Sequence, residues 1–265
     1  MPEELNNWLQ VLFRWSHVVA GVIWIGLLYF FNWVNAHFVK TMEGPVKQTV
    51  VPQLMPRALY WFRWGAAWTW ITGFFLAALV YYHGRQLFET QGEGNELLWL
   101  AIFVIGLIVG FLIYNAVMKS VANVIAANSI VLVVFLLFYF LLEFVGDFGG
   151  RALYIHAGMI FGTVMALNVW MVIWPAQKRI ITATKTAATP DPKDVAQGGL
   201  RSRHNTFMSV PLIFFMISNH YPTIYGASSN VAGLPLRDWY MILIVAIGFI
   251  ATRMLYGKSA KVEGF

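Results

Sequence analysis

Seven apolar runs occupy most of this sequence, over residues 8–34, 58–82, 97–118, 122–145, 152–174, 205–220 and 239–256. Crossing the hydrocarbon of a bilayer takes about 20 apolar residues as a helix. A helix closes its own backbone hydrogen bonds, so it can enter lipid without leaving polar groups unpaired. The runs therefore predict an all-α fold: a polytopic membrane helix bundle of about seven transmembrane helices, forming one transmembrane domain over 1–265. The sixth run is the shortest and contains Pro211, which predicts a kink there. Residues 182–199, rich in Ala, Thr, Pro and Lys and without an apolar period, predict a mobile loop with room for a short surface helix.

Composition agrees with that class. Hydrophobic residues make up 59% of the chain and charged residues 11%, against roughly 25% charge in soluble domains. The net charge of +6 is not read as a nucleic-acid footprint, because the basic residues lie between apolar runs, where they set orientation in the bilayer. His37, Lys40, Lys47 and Arg57 follow the first run, Lys119 the third, and Lys178, Arg179, Lys185, Lys193, Arg201 and Arg203 the fifth; Lys258 and Lys261 follow the last. The opposite side carries Glu3, Glu4, Arg85, Glu89, Glu93, Glu96, Asp147, Arg151, Arg237 and Asp238. The positive-inside rule then predicts an outside N-terminus and a cytoplasmic C-terminus. The acidic start lacks the basic region of a cleavable signal peptide. With no cysteine in the chain, disulfides, iron–sulfur clusters and a covalently attached c-type haem are excluded.

Ionisable residues at membrane depth are expensive and point to function. The predicted topology brings His17, His156 and His220 toward the outer half of the membrane on three different helices. Neutral imidazoles from facing helices suit a haem b, with His17 and His156 as candidate ligands of the iron. Gly21, one turn after His17, would let a flat ring approach. The competing reading is that each histidine is a hydrogen-bonded packing residue; copper or zinc held by the three together is a further alternative. Arg14 shares the face of His17 and pairs with a haem propionate or an anionic substrate, or else snorkels to the interface. Gly158 and Gly162 read as a close helix contact. Glu143 and Asp147 mark the outer end of the fourth helix, move protons, or pair with Arg14 or Arg151. Asn32, Asn115, Asn128 and Asn168 read as interhelical hydrogen-bonding residues. No nucleotide-binding loop or hydrolase motif is present.

The stretch from Arg201 through His204, Asn205 and Pro211 to Ser218-Asn219-His220-Tyr221-Pro222 resembles the membrane domain of the bacterial cytochrome-c-linked urate oxidases, the PuuD family of urate hydroxylases. Arg14-Trp15-Ser16-His17-x-x-x-Gly21-x-x-Trp24-x-Gly26 and Tyr154-Ile155-His156-x-Gly158 match as well, so the resemblance covers nearly the whole chain. The first-helix pattern is also similar to the HemJ-type protoporphyrinogen oxidases. The main resemblance implies oxidation of urate to 5-hydroxyisourate, a multi-pass protein of the bacterial inner membrane, and His17, His156, His204, Asn205, Asn219 and His220 as family-motif positions. The enzymes it resembles continue into an eighth helix and a periplasmic c-type cytochrome domain. This sequence stops after seven helices, so a separate c-type cytochrome or other redox subunit is the expected partner. Two alternatives are non-catalytic: a membrane subunit of a larger electron-transport complex, or a transporter.

Overall fold

A computed structural model describes residues 1–90 and 94–263; Glu93 lies outside the described residues. The chain order of the long helices is α1 Glu3–Thr41, α2 Gly44–His83, α3 Glu96–Ser120, α4 Val124–Val145, α5 Gly150–Lys185, α6 Pro192–Ile217 and α7 Leu236–Ser259. All but α6 are long and apolar enough to cross a membrane. The protein is a multi-pass, all-α membrane protein. The apolar side chains of α3 and α4 that face outward, such as Ile105, Leu112 and Leu137, are more than half exposed. A surface of this kind is stable in lipid and would aggregate in water.

The helices run past the apolar limits. α1, α2 and α5 span 39, 40 and 36 residues, so His37, Lys40, Lys47 and Arg57 sit on helix rather than loop. Hydropathy reports only the part of a helix that lipid touches, and the backbone continues into the polar layer. The predicted mobile loop at 182–199 shrinks to 186–191 for the same reason. Arg179 and Asp194 bridge that connection through two hydrogen bonds of 2.7 and 2.6 Å, and the guanidinium holds the Asp194 carboxyl below its usual range. α6 carries Pro211 within a continuous helix, and Gly248 of α7 lies against that ring: a Cβ there would meet Pro211 Cδ at 2.7 Å.

Local chemistry sets the helix starts. Asn95 caps α3 by accepting from the Leu98 N–H, and Asn123 caps α4 by accepting from Ile125 and Ala126. Four helices contain π-helical turns, at Phe30–Asn35, Ala78–His83, Leu141–Val145 and Val169–Ile173. The last precedes Pro175, whose missing N–H breaks the regular ladder. Between α6 and α7 a small antiparallel hairpin pairs β1 Asn230–Val231 with β2 Leu234–Pro235. Gly233 there adopts φ +87°, and its N–H is held by the Asn230 side chain.

The chain forms two compact units. The first comprises Met1–Gln10, the described part of Phe74–Val164, and Leu212–Leu243; the second comprises Val11–Gly73, Met165–Pro211 and the described residues from Ile244 on. In the first unit, Gly158 of α5 packs directly on Phe215 and Met216 of α6, as its small-residue spacing predicts.

Candidate functional site

Each unit holds a buried polar cluster, and the histidines divide between them. His17 belongs to the second unit, His156 and His220 to the first. Among the described residues no group of three or more His, Cys, Asp or Glu is placed to hold a metal ion.

His17 lies on α1 against α2. Its Nδ1–H donates to the Thr69 carbonyl at 2.8 Å, with the Thr72 hydroxyl at 3.4 Å from the same nitrogen. Gly73 makes room for the ring: a Cβ there would stand 2.8 Å from Cε1. Nε2 makes no hydrogen bond among the described residues. A backbone carbonyl on one nitrogen orients an imidazole for ligation through the other, so His17 fits an axial haem ligand. Gly21 faces the Thr69 side chain, with room for a Cβ at 3.8 Å. Arg14 is exposed.

His156 is enclosed completely, at 0% exposure. Its Nδ1–H donates to the Ala152 carbonyl at 2.7 Å, and Nε2 accepts from the Tyr82 hydroxyl at 2.9 Å. The rings of Phe103, Phe148, Tyr81 and Tyr82 surround it, with centroids 4.6 to 5.8 Å away. Both nitrogens are used, so ligation by His156 requires Tyr82 to leave. Beside it, Asn219 Oδ1 accepts from Arg151 Nε at 3.1 Å and from the Tyr81 hydroxyl at 3.3 Å. His220 follows in a 3₁₀ turn and is exposed.

The second unit also contains a run of buried polar side chains. Arg201, Asn205, Thr206 and Ser209 on α6 and Asn168 on α5 are all 0% exposed; His204 is half-buried. Asn168 donates to Asn205 Oδ1, and Asn205 donates to the Met165 carbonyl, both at 2.9 Å. Asn32 donates to Ser202 at 2.8 Å and accepts from Tyr256 at 2.9 Å. Tyr29 stacks on Trp33 at 4.2 Å, and the buried indole N–H groups of Trp24 and Trp33 have no partner among the described residues. Asn32 and Asn168 thus bond between helices as their depth implies, while Asn128 is exposed.

Reading the sequence missed Tyr81, Tyr82, Thr69 and Gly73 as partners of the histidines. Tyr81 and Tyr82 are adjacent yet both buried, because the π turn at Ala78–His83 widens the helix and turns both inward. No apolar period announces such a turn.

No curated protein and no solved structure matches the chain. The family model described as urate oxidase N-terminal matches residues 3–262. Nearly the whole chain is thereby accounted for, and the protein belongs to the urate oxidase N-terminal family.

Proposed function

We propose that the protein is an oxidoreductase of the bacterial inner membrane that takes urate to 5-hydroxyisourate and passes the electrons to a c-type cytochrome. The balance is urate plus water giving 5-hydroxyisourate, two protons and two electrons, with the electrons leaving one at a time. The observation that carries this reading is Arg201, a permanent positive charge fully buried within a membrane protein of this family. A buried guanidinium favours a planar anion that it can grip with two parallel hydrogen bonds, and urate is such an anion. The indoles of Trp24 and Trp33 add donors and aromatic surface in the same unit.

His17 fits one further component, a haem b ligated through Nε2. When bound, haem b would supply a one-electron relay. The chain's own part is to hold the tautomer, with Thr69 keeping the proton on Nδ1, and to leave room for the ring at Gly73. His156 has the geometry of a packing residue.

The test is urate-dependent reduction of added cytochrome c by the protein in liposomes. Arg201→Lys keeps the charge but loses the fork, and is expected to raise KM for urate about tenfold, roughly 1.4 kcal/mol. Absence of turnover with urate and other purines would overturn the reading and leave the subunit alternative. A visible spectrum decides the haem separately: a Soret band lost in His17→Ala and kept in His156→Ala is expected, and a colourless folded protein removes haem b.

A further inference from the structure

Three carboxyl groups and one guanidinium meet in the first unit. Glu143 sits on the π-helical turn at the end of α4 and is 6% exposed; Asp238 sits in the first turn of α7 and is 0% exposed. Arg237 places Nε and Nη2 on a single oxygen of Glu143, Oε1, at 3.2 and 3.1 Å. Its Nη1 lies 3.5 Å from Glu89 Oε2. The Tyr139 hydroxyl donates to Asp238 Oδ1 at 3.0 Å, and the Tyr154 hydroxyl donates to the Arg237 carbonyl at 2.6 Å.

The donors that do reach the two acids, Arg237 Nε and Nη2 and the Tyr139 hydroxyl, thus occupy Glu143 Oε1 and Asp238 Oδ1. Glu143 Oε2 and Asp238 Oδ2 are both buried and, among the described residues, receive no hydrogen bond from any donor. Their carboxyl groups lie within hydrogen-bonding reach of each other. An ionised carboxylate only accepts, so two ionised groups in this position would present lone pair to lone pair. Glu89 is exposed, so the two buried acids share the single charge of Arg237, and their dry surroundings do not screen the remainder. Like-charged carboxylates sharing a site resolve this by keeping one proton.

We infer that Glu143 and Asp238 hold one proton between Oε2 and Oδ2, making this pair a buried proton-binding site at the ends of α4 and α7. The groups facing it are Glu89 from the segment after α2, Tyr139 from α4, Tyr154 from α5 and Arg237 from α7. Its role rests on the proposed urate reaction, which releases two protons for each substrate oxidised: the pair accepts one of them and returns it to solvent. Arg237 and Tyr139 position the carboxyls and keep Oε1 and Oδ1 occupied, so that the proton has one place to sit.

The experiment is infrared spectroscopy of the purified protein at neutral pH, in water and in deuterated water. A carbonyl band of a protonated carboxyl that shifts on deuteration is expected in the wild type. It is expected to vanish in both Glu143→Gln and Asp238→Asn, because either amide donates to the remaining carboxylate and removes the need for a proton. No such band in the wild type, or one that persists in both variants, overturns the site. These outcomes do not depend on urate turnover. Where turnover is present, the pH profile of cytochrome c reduction is expected to lose one limb in both variants. An unchanged profile alongside a lost band overturns the role in turnover and leaves the proton site standing.

Discussion

Gly73 fixes where His17 can stand. A Cβ at this position would lie 2.8 Å from Cε1 and 3.1 Å from Nδ1 of the imidazole, so Gly73→Ala drives the ring off the Thr69 carbonyl. The expected result is a loss of about 1–3 kcal/mol in stability, as for other overpacked sites, together with loss of any haem band. A thermal melt and a visible spectrum check both. His156 should behave differently. A double-mutant cycle joining His156→Leu and Tyr82→Phe should return a coupling of about 0.5–1.5 kcal/mol, one buried hydrogen bond, with the spectrum unchanged. The histidines themselves were legible in the sequence because ionisable residues in apolar runs stand out. Their partners were not: a backbone carbonyl at Thr69 and the space at Gly73 leave no trace in residue type, and they exist only once α1 and α2 pack.

At the scale of elements, the π-helical turns decide which side chains meet. Tyr81 and Tyr82 face inward together, Glu143 rides on the turn at Leu141–Val145, and Asn32 and Asn35 ride on the one at Phe30–Asn35. Each turn carries one residue more than an α-helix needs. Deleting Val80 should restore regular helix and rotate the end of α2 by about 100° relative to the rest of the helix, breaking the Tyr82–His156 bond. The check is stability: Val80 deletion should cost more than Val80→Ala, and Tyr82→Phe should then add little. The helices were readable from apolar run length, while their ends were not, since a helix leaving lipid keeps its backbone bonds but changes its residues. In the sixth run, Pro211 lies within a continuous helix and fits closely against Gly248 of α7.

For the whole molecule, α6 is the element on which topology turns. Lys193, Asp194, Arg201, Arg203 and His204 dilute its apolar character, so length alone qualifies it to cross. The sequence contains no cysteine, which makes single introduced thiols clean reporters. Ala188→Cys, in the connection before α6, and Ser228→Cys, before the hairpin, are both exposed positions. A membrane-impermeant maleimide should reach position 228 from the outside and position 188 only after the membrane is opened. Labelling of both from one side would mean that α6 does not cross.

The two compact units are stitched from alternating stretches of chain, and α7 supplies the last piece of each, ending one at Leu243 and beginning the other's final stretch at Ile244. Neither can be complete while the ribosome is still upstream of that helix. A nascent chain halted before Leu236 would carry Glu143 without Arg237 and Asp238, and Asn32 without Tyr256. Both polar clusters would then sit open in the lipid during synthesis, so the interval before α7 emerges is when this protein is most exposed to membrane quality control.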